Sequence, residues 1–259
     1  MRNDIIKTLC NDKKIQSILL RKLEYTMHKP LRDDFDFIVD NTTDLEFYAY
    51  YHHKFSLTPS YKHLEKTKAE YQKQVYEKKF ATIKSLVDIT NKSVIDIGQE
   101  DCYYSKLFRQ NSADMSAINI QLSMGYTCDK SCIKIYDGHN VPYKDNMFDV
   151  ALLHMVLHHV IDNSQALLTD IHRILKPGGT LVIEDHDFTD QTTNDLIDVY
   201  HFLYELVEAK KFNTDYYNNY TIRRFTKEEL LKSLSAIGFV NPKFQHGKLN
   251  KYYFVIRKG

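Results

Sequence analysis

From about residue 93 onward, short apolar runs alternate with amphipathic stretches, and that alternation predicts the architecture. Ser93 to Ile97, Met115 to Ile120, Cys132 to Ile135, Phe148 to Leu153 and Thr180 to Asp185 read as strands, because β-branched and apolar residues gather there in runs too short for helices. Helices are expected between them, from about Tyr103 to Gln110 and from Ser164 to Leu175. Strands that alternate with helices in this way form a parallel, doubly wound sheet. Lys176-Pro177-Gly178-Gly179 is expected to stop the second helix, since proline cannot continue it and glycine accepts a left-handed turn.

The same reading extends to both ends. After Asp190 a helix reaches about Lys211, and a polar, Tyr-rich loop leads to Thr226. Thr226 with Glu229 predicts a capping box for a helix from Lys227 to Ala236, closed by Gly238. The apolar runs Phe239 to Phe244 and Tyr252 to Ile256 flank a short polar link and predict an antiparallel hairpin. Upstream, Ile5, Ile6 and Leu9, then Ile15, Ile18, Leu19 and Leu23 recur at helical spacing. The aromatic cluster Phe47 to Phe55 is either a helix face packed on the main domain or the lining of a groove. A long charged helix follows from Tyr61 to about Ile89. The organisation expected is a helical extension or lid over residues 1–82 and an α/β domain over 83–259.

Composition narrows this picture only a little. The 259 residues are 43% hydrophobic, enough for a proper core. Thirty-five basic against 34 acidic residues give no bulk field for polyanions, so a nucleic-acid partner would need a local patch. The Lys-rich stretch from Tyr61 to Lys84 is matched by acids, as on a solvated helix. No apolar run approaches a membrane span, and the polar start does not read as a secretory signal, so a cytoplasmic, unanchored protein is expected. Cys10, Cys102, Cys128 and Cys132 lack metal-ligand spacing and are expected to be reduced, structural thiols, with no metal site. Abundant Tyr, Lys, Asn, Ile and Asp with no Trp fit an AT-rich coding sequence.

Four segments carry a resemblance: Val141-Pro142-Tyr143, Asp145 to Asp149, Val156-Leu157-His158-His159 and Leu175 to Gly179. Together they resemble the class I S-adenosylmethionine-dependent methyltransferases, in the small-molecule group with LPF, VLHH and LKPGG segments. The likeness runs from about Val94 to Glu184. It implies a Rossmann-like, mostly parallel seven-stranded sheet with S-adenosylmethionine across the carboxyl ends of the strands, and S-adenosylhomocysteine as product. It also implies that Asp96 and Gly98 lie at the cofactor loop, with Gln99 beside them, and that the Asp137-Gly138 turn faces the adenine. Read as residues alone, that turn is equally a plain polar turn.

The first-strand loop departs from the family pattern. Asp-x-Gly-x-Gly-x-Gly stands here as Asp96-Ile97-Gly98-Gln99-Glu100-Asp101-Cys102, so Glu100 and Cys102 replace two glycines. Glu100 would accept a bond from the ammonium of the cofactor and repel its carboxylate. At the end of the second strand, where the family carries an acid for the ribose hydroxyls, this chain has Asn119 followed by Ile120. An amide accepts a hydroxyl bond without the strength of a charge.

Other candidates follow from chemistry. His154, His158 and His159 line the floor beside the cofactor in the resemblance. Glu184 to Asp187 follow the fifth strand, where His186 is the best general base and Asp187 its neighbour; alternatively this is a polar loop in which Asp187 starts the next helix. His201 and Tyr204 share a helix face toward the same pocket. Arg223 and Arg224 suit an anionic acceptor or are solvated surface residues. The function expected is methyl transfer to an oxygen or nitrogen acceptor of unknown identity. Two alternatives stand beside it: a catalytically silent methyltransferase-like binding protein, and an RNA- or cap-modifying enzyme.

Overall fold

A computed structural model describes residues 13, 62–99, 101–120, 131–188, 191, 194–195, 197–198, 222–247 and 251–259. Residue contacts divide the chain into two units, one of Met1–Leu64 with Thr189–Thr221 and one of Glu65–Phe188 with Ile222–Gly259. The second carries the sheet. Its elements are α1 (Lys62–Leu86), β1 (Ser93–Ile97), α2 (Cys102–Gln110), β2 (Asp114–Asn119), β3 (Ile133–Ile135), β4 (Phe148–His154), α3 (Ser164–Ile174), β5 (Leu175–His186), α4 (Lys227–Ile237), β6 (Phe239–His246) and β7 (Lys251–Lys258). The seven strands lie in the order β3-β2-β1-β4-β5-β7-β6. β1 to β5 pair in parallel, and β7 runs antiparallel between β5 and β6.

Period-two alternation splits the core between the two faces of the sheet. Ile95, Ile97, Leu153, Leu181 and Ile183 pack with Leu167, Leu168 and Ile171 of α3 and Leu230 and Leu234 of α4. Val94, Val150, Leu152 and Val182 pack on Phe80 and Ile83 of α1 and Tyr104 and Phe108 of α2. Burial of both faces accounts for the nearly unbroken apolar runs in β1 and β4. Among the described residues no helix is long and apolar enough to cross a membrane.

The expected capping box forms. Thr226 Oγ1 accepts from Glu229 N–H, Glu229 Oε2 accepts from Thr226 N–H, and Gly238 closes the helix. The Lys176–Gly179 segment follows the end of its helix as expected, with Gly178 at a left-handed φ of +72°, but it also interrupts a strand. α3 stops at Ile174, and Leu175 already pairs with Phe148 of β4; pairing then resumes at Val150 with Thr180. Four residues therefore loop out of β5 opposite Asp149 alone. The excursion sets the Lys176 ammonium 2.8 Å from Asp149 Oδ2, which also accepts from Ser93 N–H and Oγ. Burial raises the Asp149 pKa, but Lys176 and Ser93 outweigh it and bring it down to about 2.

The thiols also differ from expectation. Cys102 at the start of α2 and Cys132 just before β3 form a disulfide, where reduced thiols were expected. Thirty residues separate them, and only the close approach of α2 to β3 around the end of β2 brings them together.

Candidate functional site

The loop after β1 is laced to the end of β2. Gly98 and Gln99 N–H both donate to the Ile118 carbonyl, at 2.8 and 3.2 Å. Gly98 has φ +87°, and a Cβ there would stand 2.4 Å from Val156 Cγ2. Glycine is thus required twice, for the left-handed turn and for the packing of Val156. The Gln99 side chain turns inward: Nε2 donates to the Asp101 carbonyl and pairs with the Ser105 hydroxyl, each at 2.7 Å. Asn119 Nδ2 donates to the Gln99 carbonyl at 3.1 Å, while Oδ1 accepts from Ile120 N–H at 2.8 Å. An amide at this position therefore ties the loop to the strand, a role that a carboxylate, having no donor, would not fill.

Beyond β3, Asp137 caps its own turn. Its Oδ1 accepts from His139 and Asn140 N–H, both at 2.8 Å, and these bonds hold its carboxyl below the usual range. Gly138 lies against Ile120, whose Cγ2 would be 3.1 Å from a Cβ there. Ile120 is 57% exposed, an apolar surface at the carboxyl end of β2 beside Asn119.

A buried polar network lies on the α1 and α2 side of the sheet. His154 Nδ1 is 3.2 Å from Glu184 Oε2, and the Tyr104 hydroxyl is 3.1 Å from His154 Nε2. A carboxylate only accepts, so Nδ1 carries the proton bonded to Glu184. Lys251 Nζ donates to Glu184 Oε1 at 3.1 Å, and the Tyr253 hydroxyl donates to it at 3.3 Å. Burial alone would raise the Glu184 pKa, but the His154 bond with the charges of Lys79 and Lys251 holds it well below the ordinary value. Asp96 faces the same side. Its Oδ1 is buried with no hydrogen-bond partner among the described residues, and burial lifts its carboxyl to about 6.

A second cluster sits on the α3 side. Asp185 Oδ1 is 2.6 Å from His158 Nδ1, Asp185 Oδ2 accepts from His158 N–H at 3.2 Å, and Oδ1 also accepts from His186 N–H at 2.7 Å. Burial pushes the Asp185 pKa up, but His158 overcomes it and keeps the carboxyl ionised. The His158 ring lies 4.1 Å from that of His159 and 4.9 Å from that of His186. Burial, with His158 beside it, lowers the His159 pKa to about 4. His186 is thus buried among rings rather than standing on an open rim. Asp187 accepts from His246 Nδ1 of β6 at 3.0 Å. Arg223 donates through its backbone to the His158 carbonyl and stacks on Phe225.

Glu100, His201 and Tyr204 lie outside the described residues. Of the rest, the fold brings Asp96, Gly98, Gln99, Asn119, Ile120 and Gly138 to one end of β1 to β3, and His154 to the neighbouring end of β4. His186 and Asp187 stand at the end of β5. Sequence reasoning missed Tyr104, Ser105, Lys251, Tyr253 and the disulfide. Each comes from a separate element, and no local spacing marks them. These residues suit S-adenosylmethionine in chemistry: Ile120 beside Gly138 offers an apolar wall to a flat base, Asn119 Oδ1 retains a lone pair, and the unbonded Asp96 oxygen is an acceptor for a cation.

The mostly parallel seven-stranded sheet with its antiparallel β7 is the architecture that the resemblance to the class I methyltransferases implies. Residues 95–183 match the family model described as a methyltransferase domain. A demethylmenaquinone methyltransferase of Lactiplantibacillus plantarum is 29% identical over 123 residues, 45% of this chain and 52% of the relative. A ubiquinone/menaquinone biosynthesis C-methyltransferase of Idiomarina loihiensis is 32% identical over 116 residues, 42% of this chain and 46% of that one. The chain spans about half the length of the curated relatives it matches. Among solved structures, a SAM-dependent methyltransferase of Archaeoglobus fulgidus superposes with a TM-score of 0.53 at 13% identity, over 71% of this chain and 94% of that one. Human N-acetylserotonin methyltransferase in complex with SAM gives a TM-score of 0.50 at 17% identity, over 76% and 56%. At these identities the structures speak for the fold.

Proposed function

We propose that this protein binds S-adenosylmethionine at the carboxyl ends of β1 to β4 and transfers its methyl group to a small organic acceptor that gives up a proton. The observation that carries the reading is the Gly98 turn, set between the unbonded Asp96 oxygen on one side and Asn119 with exposed Ile120 on the other. When bound, the cofactor supplies an electrophilic methyl group on a sulfonium. Asn119 would accept a ribose hydroxyl, Ile120 with Gly138 would cover the adenine, and Asp96 would accept from the ammonium. Transfer from a sulfonium needs alignment above all, with a base where the acceptor loses a proton. His186, at the end of β5 beside the Asp185-held His158, is the proposed base. Hydroxyl and amine acceptors fit this chemistry, and so does the aromatic carbon that the quinone-pathway names of the curated relatives suggest.

Thermal unfolding with and without S-adenosylmethionine and S-adenosylhomocysteine tests the reading. Ligand at about 100 times its dissociation constant adds roughly 2.7 kcal/mol of stability. No shift with either ligand would sink it and leave the silent methyltransferase-like protein. One observation favours that second reading: the amides of Gln99 and Asn119 are already engaged by the loop. Transfer of labelled methyl to a panel of phenols, amines and quinols then sorts the acceptor.

A further inference from the structure

The Cys102–Cys132 bond falls on the part of the fold proposed to hold the adenosine. It joins the first turn of α2 to the residue before β3. Among the described residues β3 is an edge strand of three residues paired only with β2, and so short a strand is weakly held by its ladder alone. It leads directly into Asp137-Gly138, the turn that lies against Ile120. The Ser105 hydroxyl, 3.7 Å from Cys132 Sγ, pairs with the Gln99 side chain, and the Gln99 carbonyl accepts from Asn119. Contacts therefore run without a break from the sulfurs to Asn119.

We propose that Cys102 and Cys132 form a reversible thiol–disulfide site that sets how tightly the adenosine end of the cofactor is held, the disulfide form being the tight one. This rests on the reading that the Gly98 loop holds S-adenosylmethionine. Cys132 is the more exposed of the two and Cys102 is buried, so a dithiol reductant attacks Cys132 Sγ. As the new bond to Cys132 forms, the Cys102–Cys132 bond breaks, and its electron pair leaves on Cys102 Sγ, which then takes up a proton. The second thiol of the reductant displaces Cys132 from the mixed disulfide; two cysteine thiols remain and the reductant departs as its own disulfide. Cys102 is suited to leave as a thiolate, because it begins a nine-residue helix and its sulfur accepts the Cys132 N–H at 3.0 Å. Reduction then releases β3 and the Gly138 turn from α2, and the ligand must order them at the expense of its affinity.

Calorimetric binding of S-adenosylhomocysteine to the full chain, oxidised and then reduced with dithiothreitol, tests this. Reduction is expected to weaken binding about tenfold, within the usual range for coupled sites. By reciprocity, saturating S-adenosylhomocysteine should shift the thiol–disulfide equilibrium in glutathione buffer toward the disulfide by the same factor. Cys102→Ser with Cys132→Ser should bind as the reduced protein does and ignore dithiothreitol, whereas Cys128→Ser should keep the response. Equal affinity in both redox states, a response that survives in the double variant, or its loss in Cys128→Ser overturns the proposal. If neither state binds the ligand, the methyltransferase reading falls. The site is then judged by hydrogen exchange over residues 97–105 and 131–138 alone: slower in the oxidised form if it stands, equal in both if it does not.

Discussion

Asp96 and Glu184 are both buried carboxyls on one side of one sheet, yet the protein treats them oppositely. Glu184 receives His154, Lys251 and Tyr253 and stays ionised far below its ordinary pKa. Asp96 has an oxygen with no partner among the described residues, and burial lifts it to about 6. Burial alone therefore does not set the charge here; the supply of donors and cations decides whether its upward push is overcome. A well-supplied carboxylate holds the ends of β4, β5 and β7 together, and an undersupplied one is left with an unmet acceptor, the feature on which the proposed ammonium role of Asp96 rests.

The largest break in this comparison is Glu184→Gln. It leaves Lys251 and His154 facing a neutral amide in a buried site, and a loss of about 3 kcal/mol is expected in urea unfolding at pH 7.5. Because the folded pKa of Glu184 is depressed, its contribution is present above the unfolded value near 4.5 and fades as pH falls through the folded one. Asp96→Asn should act in the other direction. A raised folded pKa means stability is greatest with the group protonated and is lost as pH rises from about 4 to 6. The variant should gain about 2–3 kcal/mol at pH 8 and nothing at pH 3.5. If it also binds S-adenosylmethionine as tightly as wild type, the ammonium role of Asp96 is wrong.

Smaller effects sharpen the picture around these two residues. Gly98→Ala combines a left-handed φ with a collision against Val156 and is expected to cost about 2 kcal/mol. Val156→Ala should return part of that cost in a double-mutant cycle; strict additivity would show that strain at φ, not contact, dominates. Thr226→Ala removes the cap of α4 and should lose about 1 kcal/mol at both pH 6 and pH 8, above the range in which Glu229, whose carboxyl the Thr226 bonds hold below its ordinary pKa, takes up a proton. A pH-dependent loss there would mean that the two carboxyls are not the main source of the pH profile.

The strands were legible because burial on both faces writes itself into short apolar runs, as in Val94 to Ile97 and Phe148 to Leu153. The cap at Thr226 was legible because its physics is local, three residues from donor to acceptor. Lys176–Gly179 was legible only in part: the helix stops before it and Gly178 takes the expected left-handed φ of +72°. Proline and glycines announce a break in the chain, but only the pairing of Leu175 with Phe148 shows that the break lies inside a strand. The site resisted more strongly. Asn119 reads as a weakened acid until its Nδ2 is found on the Gln99 carbonyl, and Cys102 reads as a lost glycine until Cys132 arrives from 30 residues away. Such partners meet only through the crossover of the sheet.

The position of β7 bears on how the molecule is made. Among the described residues β6 pairs with the sheet only through β7, which is inserted between it and β5 although it comes later in the chain. During synthesis β5 therefore emerges with an open flank, and β6 follows with nothing to pair against, until residues 251–258 have left the ribosome. An exposed, apolar strand edge during that interval is what chaperones bind and what aggregates recruit. A chain truncated just before Lys251 should give far less folded protein than one truncated just after Lys258.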